Sequence, residues 1–269
     1  MPEIRALTFN IWNRSGPWDE RFAAIQTTLA GLKADIIGLQ EVIVTEQGDL
    51  LDQGKAIAES LGYHVVFGSS HGEGYAFGNA ILSRWPIGRH EVFRLPELDG
   101  TEPRTLLFAE VLAPFAKIPF FTTHLSWRLH EGHVRQAQVI AIVDHIAALC
   151  PAHAFPPILV GDFNAEPDSD EMRFLRGLTP LGGKSVYFAD CWVTADGPGY
   201  TYDRRNDHAL RTHEPSRRLD YVYVRGPDRQ LRGEPISARV ALDHAVDGTW
   251  PSDHFAVVAE IFAAPRVNQ

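Results

Sequence analysis

The chain of 269 residues contains only two cysteines, Cys150 and Cys191, and four lysines, Lys33, Lys55, Lys117 and Lys184. A domain this large buries enough surface to stand without a staple, so the two cysteines read as reduced thiols rather than a bridge. With a net charge of −9, the chain has little material for the basic stripe that grips a long nucleic-acid duplex. The other basic side chains are arginines, whose planar fork holds phosphate at two points, although a GC-rich genome produces the same bias. No apolar run is long enough to span a bilayer, and no linker-like, low-complexity or repeated segment divides the chain. One domain over residues 1–269 is expected, with no stable membrane insertion and no obligate protein partner evident. The opening MPEIRALTFNIWN enters an alternating pattern without the basic start and apolar stretch of a secretory signal, which makes the cytoplasm the expected location.

Hydrophobic residues make up 45% of the chain and fall into two periods. Trp18, Phe22, Ile25, Leu29 and Leu32 recur at spacings of four and three, which predicts a helix with one apolar face. Val139, Ile142, Val143, Ile146 and Leu149 predict a longer helix from about 133 to 150, and residues 50–61 a further one. The runs LTFNIWN, DIIGLQEV, HVVFGSS, GNAILSR, TLLFAEVL, IPFFTTHL, ILVGDFN, RLDYVYVR and HFAVVAEIF read as strands. Several successive strands lie too close in sequence for a crossover helix, so an α/β chain with antiparallel pairs is expected rather than a doubly wound parallel sheet.

Polar residues sit at the edges of these strands. Asn10 lies in the first, Glu41 and His124 close theirs, Asp162 and Asn164 follow ILVG, Asp220 opens one strand, and Asp253 and His254 precede the last. Asp162 and Asn164 point to the same side of an extended chain. Each position also has a plain structural reading. Gly-Asp and Asn-x-x-Pro are common turn chemistry; Asn10 could bond a loop, Glu41 an arginine, and Asp220 Arg217 or Arg218; a lone His124 is more often a core histidine; Ser252 and Asp253 could cap a turn. Unpaired, such groups cost about 1–3 kcal/mol each when buried. Six strand-edge coincidences are most economically explained if the groups are one another's partners around a common centre.

The motifs TFNIWN, GLQEV, GNAILSRWPI, TTHLSW, GDFNAEPDS, RLDYVYV and SDHFAV, spread from residue 8 to residue 257, resemble the endonuclease/exonuclease/phosphatase superfamily of metal-dependent phosphoesterases. The resemblance covers essentially the whole chain. It implies a deoxyribonuclease-I-like fold: a four-layer α/β/β/α sandwich of two mixed sheets with the active site at one edge.

Carried over residue by residue, the resemblance makes Glu41 the principal metal ligand, with Asn10 beside it and Asp253 close behind. Mg²⁺ suits such an oxygen site, with Mn²⁺ as a possible substitute, because it keeps several waters and uses one or two carboxylates plus substrate phosphate. Asp162 and Asn164 match the pair that orients or deprotonates the attacking water and holds a phosphate oxygen. His254 matches the catalytic histidine, Asp220 the carboxylate that fixes its tautomer, and His124 a donor to a non-bridging oxygen. Whether His254 or Asp162 is the base stays open at this level.

The expected reaction is hydrolysis of a phosphodiester or phosphomonoester by in-line water attack, on a substrate that is small or locally recognised. His124 differs from the tyrosine usual in apurinic-site endonucleases and matches the deoxyribonuclease and sphingomyelinase branches, so a nuclease and a sphingomyelinase-like phospholipid phosphodiesterase both remain. SRRLDYV replaces the Trp-x-Asp-Arg signature of the inositol-polyphosphate branch. From another class, a catalytically silent phosphate- or nucleic-acid-binding module would keep the fold, but no expected metal or proton-transfer position is substituted. Trp12, Trp127, Tyr202, Arg128, Arg204 and Asn206 are candidates for stacking on a base or holding a headgroup, with ordinary packing as the competing reading of the aromatics.

Overall fold

A computed structural model of the chain describes residues 3–45, 51–71, 74–98, 100–211, 213–226 and 228–263. The first half contains β1 (Glu3–Asn10), α1 (Trp18–Leu32), β2 (Ile36–Thr45), β3 (Leu51–Asp52), α2 (Gln53–Leu61), β4 (His64–His71), β5 (Tyr75–Ser83) and β6 (Ile87–Arg94). There follow β7 (Thr105–Ala113), β8 (Ala116–His124), α3 (Gly132–Leu149), β9 (Ile158–Asp162) and α4 (Asp170–Leu175). The chain ends with β10 (Phe188–Asp190), β11 (Asp220–Arg225), β12 (Pro235–Ala241) and β13 (Ala256–Phe262).

Two mixed sheets result. The first has seven strands in the order β12-β13-β1-β2-β5-β4, with β3 paired to β2; the second has six, β10-β11-β9-β8-β7-β6. Each contains one parallel pair, β1 with β2 and β8 with β9. These are the pairs separated by a long helix, α1 in one case and α3 in the other, as a parallel connection requires.

Three apolar layers fill the spaces between. Ile4, Ala6, Ile36 and Ile81 of the first sheet meet Leu107, Phe120, Val160 and Val222 of the second in a central core. On the outer face of the first sheet, Leu7, Phe9, Ile37 and Leu39 pack against Ile25, Leu29 and Ile57 of α1 and α2. On the opposite side, Phe121, Leu159, Tyr221 and Tyr223 pack against Val139, Ile142 and Ile146 of α3 and Met172 and Phe174 of α4. The fold is the four-layer α/β/β/α sandwich, and strands with apolar residues on both faces are those covered on both sides.

The helices expected over 18–32 and 133–150 are present within a residue or so; of the one expected over 50–61, residues 53–61 are helical and Leu50 lies outside the described residues. Strands β6, β10 and β12 do not stand out in the sequence, and all three lie at the ends of the sheet orders. An edge strand has one neighbour and a partly wet face, so IGRHEVFR and PISARVA carry charge and proline where a central strand carries Val and Ile.

The sheets are in close contact at Gly38, two residues before Gln40. A Cβ on Gly38 of β2 would fall 2.5 Å from Val160 Cγ2 and 2.8 Å from Thr122 Oγ1 of the opposite sheet. Two residues on, the fully buried Gln40 accepts from Thr8 Oγ1 (3.2 Å) and donates to Thr122 Oγ1 (2.8 Å), bridging the sheets through a side-chain amide. Gly38→Ala should therefore wedge the sheets apart and cost about 1–3 kcal/mol, as overpacking of a tight core does. In urea unfolding the midpoint is expected to fall with an unchanged m-value; a midpoint equal to wild type would show that the sheets yield freely.

Candidate active site

Strand parity determines which side chains reach the site. In β1, Ile4 and Ala6 belong to the central core, so Thr8 and Asn10 continue that face; in β8 the row Ile118, Phe120 and Thr122 ends in His124. Ile158 and Val160 lead to Asp162 in β9, and Val224 and Val222 to Asp220 in β11. His124 and Asp162 are directly opposite in the parallel pair, and Asp162 and Asp220 in the antiparallel one. Three neighbouring strands thus place an imidazole and two carboxylates in one row facing Asn10 of the other sheet.

Glu41 does not follow this parity. The strand β2 continues past it to Thr45, and between Leu39 and Val42 its register against β5 shifts, a bulge in which Glu41 takes a left-handed φ of 58°. Bulges re-aim side chains at sheet rims. Here both carboxylate oxygens are held by amides: Oε1 accepts from Asn10 Nδ2 at 3.1 Å and Oε2 from Asn13 Nδ2 at 2.8 Å. Among the described residues no arginine forms a salt bridge with Glu41.

Asp162 Oδ2 is the meeting point. It accepts from Asn10 Nδ2 at 3.0 Å and lies 3.6 Å from His124 Nε2 and 3.7 Å from His254 Nε2. Burial, with Asp220 adding to it, pushes Asp162 up to about 6, against the pull of His254, Asn10 and the Asn164 N–H. The Nδ1 of His254 stands 2.9 Å from Asp220 Oδ2. Burial alone would lower His254, but Asp220 and then Asp162 hold it well above its ordinary value. The possible partners Arg217 and Arg218 are engaged elsewhere, with Glu214 and Asp190 respectively.

His124 behaves in the opposite way. Burial and the adjacent Arg104 guanidinium keep it well below the usual histidine value, hence neutral. Arg104 Nη1 lies 3.0 Å from His124 Nδ1. A guanidinium can only donate, so Nδ1 is the acceptor and Nε2 carries the proton, directed at the site.

Asn164 reaches the site by a route other than strand alternation. β9 ends at Asp162, and Asn164, with a φ of 50°, gives its backbone N–H to Asp162 Oδ1 (2.9 Å) and its Nδ2 to Leu125 O (3.2 Å). This is a turn stabilised by the aspartate, and the turn itself puts both residues at the cleft. Asp253 and His254 precede β13 in a loop anchored by Ser252, whose Oγ donates to Asn10 O at 2.7 Å. Desolvation pushes Asp253 up to about 7; His254 opposes the push and Glu41 adds to it.

The cleft, about 340 Å³, is lined among others by Glu41, His124, Asp162, Asn164, Asp253 and His254, with Asn10 and Asp220 behind. The outer candidates divide. Trp127 and Tyr202 line the same cleft. Arg128 lies over the Trp127 ring, 5.3 Å from its centroid, whereas Trp12 leans on His208 with centroids 4.6 Å apart. Tyr202 is buried edge-on to His254, and Asn206 is fully enclosed, its Nδ2 donating to Ser252 O at 2.7 Å. Arg204 donates Nη1 to Glu214 O at 3.1 Å.

Sequence reasoning missed Arg104, Glu102 and Asn13. Arg104 immediately precedes β7, a strand-edge position of the kind that exposed the others, but an arginine there looks like surface charge. Nothing in the sequence marks Asn13. Nor does it mark Arg21, fully buried, which donates to the carbonyls of Ile11, Asn13 and Ser15 beneath the loop that holds Glu41.

Comparison with known proteins gives the family and the fold. The profile of the endonuclease/exonuclease/phosphatase family matches residues 7–254. The uncharacterized protein YbhP of Escherichia coli is 29% identical over 175 residues, covering 60% of this chain and 66% of YbhP. An endonuclease/exonuclease/phosphatase from Beutenbergia cavernae superposes with a TM-score of 0.73 at 24% identity, over 97% of this chain and 72% of that one. Danio rerio TDP2, in complex with a single-strand DNA product, superposes with a TM-score of 0.74 at 20% identity, over 96% and 98% of the two chains. Among the described residues no helix is long and apolar enough to cross a membrane.

Arg104→Met should release the His124 tautomer while leaving the ring in place. Turnover is expected to fall by about 10-fold or more, the scale of a misplaced donor, and ¹⁵N shifts of His124 should change from a single Nε2–H form to a mixture. Unchanged shifts would show that Arg104 does not set the tautomer.

Proposed function

Because the chain belongs to the endonuclease/exonuclease/phosphatase family, whose members hydrolyse phosphoesters, we propose that it is a divalent-cation-dependent phosphodiesterase acting by in-line attack of water. The observation that carries this reading is the convergence of Asn10, His124 and His254 on one buried oxygen of Asp162, with Asp220 behind the imidazole. A packing role would need no second histidine at 3.6 Å, beyond hydrogen-bond reach and open to a third party.

Members of the family are generally dependent on a divalent metal, and the donor set here fits one. Glu41 and Asp253 repel each other across a water-poor edge, and a cation between them removes that repulsion. Asp162, Asp220 and His254 also lie close enough to share an ion, but there the imidazole Nδ1 is committed to Asp220. A hard cation prefers the carboxylate oxygens of Glu41 and Asp253, and Mg²⁺ is the ion proposed, with Mn²⁺ as substitute. Asn10, expected as a ligand, turns its Nδ2 to Glu41 and Asp162 while its Oδ1 accepts the Trp12 N–H at 2.9 Å, so it positions the carboxylates instead. It would supply charge neutralisation for the phosphate oxygens.

The protein's own groups divide the remaining work. His254, held protonated by its two carboxylates, is a donor and a positive charge toward the phosphorane rather than a base. Asp162, near 6, is ionised at neutral pH and still basic enough to accept the proton of the attacking water, so it takes the base role. Neutral His124 donates from Nε2 to a non-bridging oxygen, and Asn164 stands at the cleft wall to orient the same group. The net charge of −9 favours a substrate gripped locally, and the single-strand DNA product bound by Danio rerio TDP2 supports a phosphodiester with an accessible end.

Hydrolysis of bis-p-nitrophenyl phosphate should require Mg²⁺ or Mn²⁺ and vanish in Glu41→Ala, while circular dichroism and melting stay close to wild type. Full activity in excess chelator would sink the proposal.

His254→Ala is expected to lower kcat by about 10²–10⁴-fold with little change in KM, since the group acts in the transition state. Protonation removes the base, so the rate should fall as pH drops through about 6, the value to which burial raises Asp162. That acidic limb is expected to disappear in Asp162→Asn along with nearly all turnover. A rise in KM alone on losing His254 would refute the assigned role.

A further inference from the structure

We propose that Trp127 is a stacking platform for the planar base of a nucleotide whose phosphate lies in the cleft, which makes the substrate nucleotidic; this rests on the phosphodiesterase reading above. The indole stands at the mouth of the cleft three residues beyond His124 and is 50% exposed. A side chain of that size left half in water would normally be mobile. This one is fixed: its Nε1 donates to Glu102 Oε1 at 3.1 Å, and the Arg128 guanidinium covers the ring, 5.3 Å from its centroid. Arg128 is itself held by Glu131 Oε1 at 2.8 Å, and Glu131 is buried at the start of α3. An aromatic ring pinned at its edge and backed on one side is ready to receive a flat partner on the other, because the ordering cost has been met in folding.

The same pinning ties the platform to the phosphate site. Glu102 takes the indole N–H on Oε1 and Arg104 on Oε2 (3.1 Å), and Arg104 in turn holds His124 Nδ1 at 3.0 Å. The ring and the proposed phosphate donor are therefore set by one connected chain of side chains. A ligand that presents a phosphate to His124 and a flat group a short distance away meets both.

Two chemistries favour an aromatic face: a planar base and a quaternary ammonium. Arg128 already places a cation over the ring, and a second cation on the opposite face would be repelled through it. A neutral base is not repelled, and base-on-aromatic stacking is worth about 1–3 kcal/mol. Tyr202 and Trp12 do not compete for the role, since the first is buried edge-on to His254 and the second leans on His208.

The test compares three ligands that share a phosphate and differ beyond it: methyl phosphate, thymidine 5′-monophosphate and phosphocholine. Dissociation constants are measured by NMR titration of the intact protein in Mg²⁺. Thymidine 5′-monophosphate should bind about 10-fold or more tightly than methyl phosphate, the scale of one stacked base. Trp127→Ala should erase that preference while methyl phosphate stays within about twofold, and Trp127→Phe, which keeps a ring face but loses the bond to Glu102, should restore part of it. Amide-resonance dispersion checks that both variants fold. The inference is overturned if wild type shows no preference, if the preference survives Trp127→Ala, or if phosphocholine alone shows a Trp127-dependent preference. Turnover of bis-p-nitrophenyl phosphate by the same protein separates the two readings: hydrolysis without base preference defeats this inference only, and base preference without hydrolysis defeats the phosphodiesterase reading only.

Discussion

A single buried carboxylate oxygen, Asp162 Oδ2, sets the terms for everything around it. An ionised carboxylate taken out of water costs several kcal/mol unless donors replace the lost solvent. Asn10 supplies one donor at 3.0 Å, the Asn164 N–H satisfies the other oxygen, and a protonated His254 supplies the charge. His254 then needs Asp220, whose Oδ2 it meets while Oδ1 has no hydrogen-bond partner among the described residues. With Glu41 and Asp253 close by, four carboxylates gather at one end of the two sheets; burial is the first cause of the raised Asp253 value, and the Glu41 charge adds to it.

That crowding is tolerable only because the scaffold beneath it is rigid. Along the inner faces the residues grade from apolar to hydroxyl or amide to ionisable: Phe120, Thr122, His124 in β8, and Ala6, Thr8, Asn10 in β1. The middle members of these rows, joined through Gln40, cross-link the two sheets directly under the site. The polar centre is thus a continuation of the core, not a loop cluster laid upon it, and its side chains inherit the precision of strand register.

The parts of this that were legible in the sequence are those that follow strand alternation. Asn10, His124, Asp162 and Asp220 could be assigned to one face because each ends a two-residue repeat of buried apolar neighbours. Glu41 was identifiable by motif, but its aim was not: parity assigns it to the helix-covered face, and only the bulge with a left-handed backbone turns it to the cleft. Asn164 lies at the cleft, but a turn rather than an extended strand carries it there. The edge strands β6, β10 and β12 stayed hidden because their residues are chosen against aggregation as much as for pairing, whereas β4, also at an end, showed itself through its apolar run. Arg104, Asn13 and Arg21 act through contacts 20, 28 and up to 10 residues away. No local pattern records such contacts.

The rim explains how an acidic protein can handle an anionic substrate. Three arginines at the rim of the cleft each have a glutamate: Arg104 with Glu102, Arg128 with Glu131, Arg217 with Glu214. Paired in this way, they contribute little field beyond the Debye length of about 8 Å at physiological salt, so long-range steering of a polyanion is weak. They still present oriented N–H groups and stacked faces at contact distance. On the function proposed above, affinity would come from short-range geometry: a cation at Glu41, donors at His124 and His254, and a flat surface at Trp127. Such a site discriminates by the shape and end of its substrate, and adding further phosphates along a backbone gains it little.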